Sequence, residues 1–307
     1  MRIAVIGAGA MGSVYAGLLS AAGNDVVVVD PWVEHVAAIA EHGLRVEGAS
    51  GDRTVRLEAV ATVEGLGPVE LVVIATKARH VAEAARSALP LLGPGTTVLT
   101  IQNGLGSDAV VAGVVGEERT IAGVASAFGA SIAGPGHAHH HHLGVIRIGE
   151  RASGTSARTR RVADVWRAAG FPAEAEDDLP RLIWEKLVCN CAFSGPCALL
   201  GRPIRGVLDD PHAWSVAADC ASEAYTAGRS AGVRFGFDDP VAWARAFGER
   251  MPGAKPSVLL DLEAGRPTEI AVINGSIPVV ARAHGLQAPV NETVTALVCA
   301  REAPAPD

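Results

Sequence analysis

The spacing of apolar positions along the chain changes character near residue 178. Before that point, short runs of β-branched residues alternate with stretches in which apolar residues recur every three or four positions. Arg2-Ile3-Ala4-Val5-Ile6 is a run of strand type. A helical pattern follows through Leu18 and Leu19 to Gly23, and a second strand, Val26 to Val29, stops on Asp30. A helix is predicted from about Glu34 to His42, closed by Gly43. Residues 44–47 and 54–57 alternate about a glycine-containing turn and predict a hairpin. Residues 71–75 and 97–101 read as buried strands, each with a helix after it. A more antiparallel region is expected from Arg119 to Gly149, then a helix over 157–169 and a short extended piece at 171–175. Glu174 to Asp178 is a small acidic cluster and the candidate hinge. Beyond it the pattern predicts almost continuous helix, at about 179–200, 209–231, 239–249, 256–264, 268–283 and 290–300. Pro203, Pro252, Pro267 and Pro289 punctuate these helices, and Pro278 is expected to kink or divide the one it lies in. The tail Ala-Pro-Ala-Pro-Asp reads as disordered.

Between the first two strands lies Gly7-Ala8-Gly9-Ala10-Met11-Gly12. Strand, G-x-G-x-x-G, helix, strand and terminal acid form the dinucleotide-binding fingerprint in its required context. Gly7 permits the tight turn, Gly9 lets a pyrophosphate approach the backbone, and Gly12 allows the helix to sit close to the strand. The phosphates would lie at the helix N-terminus, where free N–H groups and the helix dipole favour negative charge. Gly7, Gly9, Ala10, Met11 and Gly12 are therefore cofactor-binding candidates, and Asp30 is placed to accept hydrogen bonds from the adenosine ribose. The fold class is α/β. A Rossmann-type dinucleotide-binding domain spans 1–177, and an all-helical substrate and catalytic domain spans 178–307. Ligands of such sheets bind beyond the carboxyl ends of the strands. Asp30, Lys77 and Asn103 sit at those ends, so a substrate is expected between that rim and the helical domain.

Composition narrows the function. The chain has 307 residues, 49% hydrophobic and only 4% aromatic, which fits cores of Val, Ala, Leu and Ile around a buried parallel sheet. A net charge of -7 argues against nucleic-acid binding. No uninterrupted apolar stretch reaches the roughly eighteen residues that a membrane span needs. The first residues read as a core strand rather than a secretion leader. The five cysteines, Cys189, Cys191, Cys197, Cys220 and Cys299, form no C-x-x-C or disulfide framework and read as buried reduced thiols in a cytoplasmic protein. The run His139 to His142 invites a metal reading. Alternation along a strand sends adjacent histidines to opposite faces, however, and no metal is expected. The apolar surface of the helical domain would suffice for a homodimer.

Hydride transfer to a carbonyl asks a protein for alignment and for a group to meet the charge developing on oxygen. Lysine suits that task. In Trp184-Glu185-Lys186-Leu187-Val188-Cys189-Asn190-Cys191, Lys186 and Asn190 are four apart on one helical face, and Ser194 extends the stripe. A polar spot facing a cleft and a lysine snorkelling to the surface both explain this pattern. A second polar cluster runs from Lys255-Pro256-Ser257 through Asp261 to Thr268-Glu269-Ile270. Thr268 as an N-cap and Glu269 as a dipole partner explain it structurally. Asn274-Gly275 suggests close packing and a polar contact.

Taken together, these motifs resemble the ketopantoate reductase (2-dehydropantoate 2-reductase) family over nearly the whole chain. The likeness rests on the glycine turn, Ala75-Thr76-Lys77, Gln102-Asn103-Gly104, Trp184-Glu185-Lys186-Leu187 with Asn190, and Ser257 through Thr268-Glu269-Ile270 to Ile273-Asn274-Gly275. The resemblance implies that Lys186 is the general acid and that Glu269 bonds the substrate hydroxyl and orients Lys186. It implies that Lys77 and Asn103 lie near the nicotinamide and the reacting carbonyl. Asn190 and Ser257 would hold the substrate's hydroxyl and carboxylate ends, with Ser194 and Asn274 also on the substrate side. It further implies a glycine- and histidine-containing edge strand near residue 137. Two departures stand out. Ser194 replaces a second asparagine found in many members, and Asp30-Pro31-Trp32 replaces the basic group usual in NADPH users. The cofactor is therefore NADH or NADPH, with NADH preferred. The expected activity is reduction of 2-dehydropantoate or a similar branched 2-keto acid, with closure between the domains. Its rivals are an NADH-linked D-2-hydroxy acid dehydrogenase on the same scaffold and a non-catalytic redox sensor.

Overall fold

The strand β1 (Arg2–Ile6) is buried at every position after Arg2. It pairs in parallel with β2 (Asp25–Val29) on one side and β6 (Val69–Ile74) on the other. Alternate side chains of these strands supply two different layers, as the pleat requires. Ile3, Val5, Val26, Val28, Leu71 and Val73 face one core. Ala4, Ile6, Val27, Val29, Val72 and Ile74 face the other. Runs of consecutive apolar residues are explained by a sheet covered on both faces.

The computed structural model describes residues 1–152 and 154–302, and the tail read as disordered lies outside the described residues. Contacts divide the chain into two compact units, Met1–Gln102 with Gly106–Leu179, and Asn103–Leu105 with Pro180–Asp307. The acidic residues read as a hinge are knitted to the first unit. Arg147 lies 3.6 Å from both Glu174 and Glu176, and the Glu176 N–H donates to Ile148 O at 2.8 Å.

The first unit continues through α1 (Ala10–Ala21), α2 (Val33–His42), β3 (Leu44–Gly48), β4 (Arg53–Val55) and β5 (Glu58–Val60). After β6 come α3 (Val81–Ser87), β7 (Leu92–Thr100), α4 (Ser107–Val115), β8 (Thr120–Ser126), β9 (Gly129–Gly134) and β10 (His137–His142). It ends in β11 (Val145–Glu150), α5 (Ala157–Ala168) and β12 (Ala173–Ala175). The main sheet has the order β12-β11-β8-β7-β6-β1-β2-β5. From β5 to β8 all pairings are parallel, and β11 joins antiparallel. The chain leaves β1 outward to β2 and later returns to β6 on the opposite side. That reversal places a topological switch point at the end of β1, where ligands of such sheets bind.

The predicted hairpin forms from β3 and β4, but its setting differs from the sequence reading. It belongs to a separate four-stranded sheet, ordered β4-β3-β10-β9. The histidine strand β10 is therefore interior, between β3 and β9, and is not the edge strand that the resemblance implied. Its alternation holds. His137 and His139 both approach Glu47 at 3.3 Å, whereas Ala138 and His140 are fully buried on the other face. No group of three or more His, Cys, Asp or Glu among the described residues is arranged to hold a metal ion.

In the second unit, α6 (Leu179–Leu200) is the central element. It is followed by α7 (Ile204–Leu208), α8 (Pro211–Ser230), α9 (Pro240–Arg250), α10 (Ser257–Glu263), α11 (Ser276–Ala283) and α12 (Pro289–Arg301). No helix among the described residues is long and apolar enough to cross a membrane. The helix expected over 209–231 forms as α8, the short α7 before it was not expected, and one helix read as continuous is divided. The Asp210 side chain accepts from the N–H groups of His212 and Ala213 while Pro211 takes the first helical position, so a new helix begins there. The run over 268–283 breaks into a 3₁₀ turn, Ile270–Val272, and α11. Pro278 sits in the first turn of α11, where its missing N–H would have no helical partner, so the break falls before it rather than at it. Four cysteines are buried as expected, but Cys299 is exposed on the outer side of α12.

A Cβ on Gly12 would lie 1.8 Å from Gly7 O, whereas one on Gly9 would meet nothing within 4 Å. Gly12→Ala is therefore expected to lower stability by about 1–3 kcal/mol through overpacking. Gly9→Ala should stay within roughly 0.5 kcal/mol of the parent chain. Calorimetric unfolding of the two variants checks this, and equal losses would contradict it.

Candidate active site

The glycine turn is held by backbone and carboxylate contacts within the first unit. The Gly7 N–H donates to Val29 O at 2.9 Å, which ties the turn to β2. The Ala8 N–H donates to Asp30 Oδ2 at 2.6 Å, and the Trp32 N–H donates to Asp30 Oδ1 at 2.9 Å. Asp30 thus braces the turn as well as ending β2. Each carboxylate oxygen keeps a further lone pair for a diol. Helix α1 begins at Ala10 and Met11 with no side-chain cap and no acidic residue in its first turn. Its leading amides and the open space over Gly9 fit the pyrophosphate of a dinucleotide.

Lys77 is half-buried and follows the end of β6, where its carbonyl accepts from the His80 N–H at 2.9 Å. The loop before it is anchored by Gln102, whose Nε2 donates to Ile74 O at 2.7 Å and to Thr76 O at 3.1 Å. Thr100 Oγ1 in turn donates to Gln102 Oε1. Sequence reasoning singled out the residue after Gln102 but gave Gln102 itself no task. A polar side chain directly beyond a buried strand was the available signal.

The second unit assembles a different cluster. Between Trp184 and Ala198 on α6, only Lys186 and Asn190 keep appreciable accessible surface. The lysine is thus one of two partly open polar groups on an otherwise buried stretch of helix. Lys186 Nζ donates to Asn103 Oδ1 at 2.7 Å. Burial pushes its ammonium down to about 8, and the nearby Glu269 carboxylate pulls in the opposite direction. Asn103 reaches this helix because Gly104 lies against a backbone carbonyl. A Cβ there would fall 2.2 Å from Val272 O, and the Leu105 N–H donates to that oxygen at 3.0 Å. The same turn carries Glu269, which is buried. Thr268 steadies the turn: its hydroxyl accepts from the Ile270 N–H at 3.2 Å and donates to Glu302 Oε1 at 2.5 Å.

Asn103, Lys186 and Glu269 are therefore brought together, with Asn190 one turn along the open stripe. Ser194 continues that stripe but is almost closed, at 4% exposure. Ser257 is placed separately at the first residue of α10, half-buried. Asn274, expected on the substrate side, has no accessible surface here and donates to Cys191 O at 3.0 Å and to Asn291 Oδ1 at 2.8 Å. Asn291 in turn donates to Cys220 O and to Glu223 Oε2. Asn274 ties three helices through a buried polar network, a partnership that its sequence neighbours do not reveal.

Comparison with known proteins identifies the family. A family model described as Ketopantoate reductase PanE/ApbA matches residues 3–153, and its C-terminal counterpart matches residues 178–302. A 2-dehydropantoate 2-reductase from Pyrococcus abyssi is 32% identical over 99% of this chain and 98% of its own. The chain belongs to the ketopantoate reductase family. Among solved structures, a 2-dehydropantoate 2-reductase from Geobacter metallireducens superposes with a TM-score of 0.91 at 34% identity, covering 98% of this chain and 99% of its own. A D-mandelate dehydrogenase in complex with NADH and anilino(oxo)acetate also gives 0.91, at 28% identity and 98% coverage of each chain. The scaffold is thus shared by enzymes named for a 2-keto acid and for a different 2-hydroxy acid.

The opposing influences on Lys186 can be separated. Its ammonium is expected to titrate near 8. In Glu269→Gln the midpoint should move down by roughly 1 unit, because the opposite charge is gone while burial remains. A pH titration followed by NMR of isotope-labelled lysine side chains measures both midpoints. An unchanged midpoint in the variant would remove Glu269 as the partner.

Proposed function

We propose that the chain reduces a small branched 2-keto acid, 2-dehydropantoate or a close relative, to the 2-hydroxy acid, and that it uses NADH in preference to NADPH. The observation supporting this reading most directly is the 2.7 Å bond from Lys186 Nζ to Asn103 Oδ1 beside the Glu269 carboxylate. On this reading, an acid of tuned strength stands next to groups able to orient a carbonyl. The reduced nicotinamide, when bound, supplies hydride to the keto carbon. The chain's own task is the oxygen. As the carbonyl becomes an alkoxide, the Lys186 ammonium stabilises the developing charge and donates its proton, leaving a neutral amine that recovers a proton from water. A value near 8 keeps that ammonium protonated at neutral pH and makes it a stronger acid than an ordinary lysine. Glu269 orients Lys186 and accepts from the substrate hydroxyl, and Asn103 lies beside the reacting carbonyl. Asn190 and Ser257 hold the substrate's two polar ends.

An NADH-linked D-2-hydroxy acid dehydrogenase is the second reading. Ser194, shorter than the asparagine of many relatives, and Asp30, acidic where NADPH users are basic, favour it. A panel of 2-keto acids tested with both cofactors separates the two readings. Ketopantoate should lead the panel, and a much higher kcat/KM for another 2-keto acid would favour the dehydrogenase. Absence of turnover with every member would favour a redox sensor instead. In Lys186→Ala, kcat should fall by about 10²–10⁴ while cofactor binding persists. The wild-type reduction rate should decline as pH rises through about 8, because the donor is then lost.

Cofactor choice rests on Asp30, whose carboxylate would repel a 2′-phosphate and can bind a ribose diol. Steady-state kcat/KM is expected to favour NADH by at least ~10-fold, a discrimination of about 1.4 kcal/mol. Asp30→Asn should narrow that ratio. A wild-type preference for NADPH would overturn the assignment.

A further inference from the structure

His35 on α2 has no accessible surface, and both of its ring nitrogens are engaged. Nδ1 accepts the Gly136 N–H at 3.0 Å, so the proton of the neutral ring resides on Nε2. Nε2 lies 3.2 Å from Ser13 Oγ, and the Ser13 hydroxyl donates to Ala8 O at 2.8 Å. The imidazole N–H therefore donates to Ser13. Ala8 is also the residue whose N–H donates to Asp30 Oδ2 at 2.6 Å. A continuous chain of hydrogen bonds thus runs from the turn between β9 and β10, through a buried imidazole and a buried hydroxyl, to both polar groups of Ala8 in the glycine turn. Each donor in it meets one acceptor only when His35 is the neutral Nε2–H tautomer. An imidazolium would direct a second N–H at the Gly136 N–H, leaving two buried donors opposed.

We propose that His35, acting through Ser13, is a positioning residue that holds Ala8, and with it Gly9 and Asp30, in the geometry for dinucleotide binding only while its imidazole is neutral, so that cofactor affinity falls on acidification. This rests on the reading of the glycine turn as the cofactor site.

The surroundings of His35 support a single controlling proton. Burial lowers its pKa from the ordinary histidine value, and Asp30 opposes that shift. Helix α1 contributes Ser13 and no charged residue to this face. From β10 the adjacent His137 is engaged with Glu47 at 3.3 Å. On its own helix, Glu34 is exposed. Trp32 stacks on the ring with centroids 4.8 Å apart and planes 9° from parallel. The sign follows directly. Above the ordinary histidine pKa the ring is neutral both folded and unfolded, and the relay is intact. As pH falls, protonation is resisted in the folded chain and, once forced, breaks the bond to Gly136.

The test combines binding with a spectroscopic readout of the cofactor-free protein. NADH affinity of the full chain is measured by calorimetry from about pH 8 down to about pH 5.5, a span that brackets the ordinary histidine pKa. Wild type is expected to lose affinity below the ordinary histidine pKa, by less than about 10-fold at the lower end because burial resists protonation, and Ser13→Ala and His35→Phe to bind roughly 10-fold more weakly at the upper end, without further loss on acidification. His35→Gln, whose amide can donate to Ser13, should recover most of the affinity yet remain insensitive to pH. In the cofactor-free wild type, nitrogen NMR shifts should report the Nε2–H tautomer. Trp32 emission should be quenched with the same midpoint, and Trp32→Phe should abolish that transition. Variants that bind as tightly as wild type with the same pH profile would overturn the proposal, as would an Nδ1–H tautomer. Failure of wild type to bind either NADH or NADPH at the upper pH would instead overturn the cofactor reading, and the proposal with it.

Discussion

Burying an ammonium group in an apolar helix costs several kcal/mol unless the charge is weakened or partnered. The second unit does both for Lys186. Its acidity is raised, Asn103 accepts one of its protons, and Glu269 supplies opposite charge. These partners come from distant parts of the sequence, and each is delivered by a backbone device. The missing side chain of Gly104 lets the segment carrying Asn103 rest on Val272 O, and the 3₁₀ turn at Ile270–Val272 presents Glu269 beside it. Thr268 ties that turn to Glu302. The break in the predicted helix over 268–283 therefore has a use. A continuous helix would turn Glu269 with its neighbours around the axis, and Val272 O would be committed to an intrahelical bond.

The first unit solves a different problem, that of bringing backbone close to an anion. Gly12 lets α1 sit directly over Gly7, and the space over Gly9 stays open. Asp30 is shared between two duties, since it accepts from the backbone on both sides of β2 and retains lone pairs for a ligand. The acid therefore has a structural role whatever ligand it meets. The small second sheet contributes as well: through Gly136, His35 and Ser13 it reaches the same turn from the opposite side.

Membership in the ketopantoate reductase family does not by itself name a substrate, because a D-mandelate dehydrogenase shares the scaffold with equal superposition quality. The chemistry of hydride addition to a 2-keto acid asks for the same donor and the same orienting carboxylate whatever the side chain of the acid. Discrimination among such acids must therefore come from residues that meet the acid's side chain rather than its carbonyl.

The sequence by itself determined the parallel sheet, the glycine turn and the lysine stripe on α6. Each depends on residues close together in the chain, so spacing and side-chain type are sufficient to reveal it. Consecutive β-branched runs in β1, β2 and β6 read as strands covered on both faces, and Lys186 with Asn190 stood out as polar residues one turn apart. Only the tertiary structure decided that β10 lies inside a second sheet and that Asn274 belongs to a buried network. It alone linked His35 to Ala8. Each of these depends on a partner far away in sequence, Arg45 opposite His137 for the strand register, Asn291 for Asn274, and Gly136 for His35. A buried polar residue looks the same in sequence whether it meets a ligand or another part of the fold. The choice is made by which acceptor arrives when the chain closes, and local pattern does not encode that.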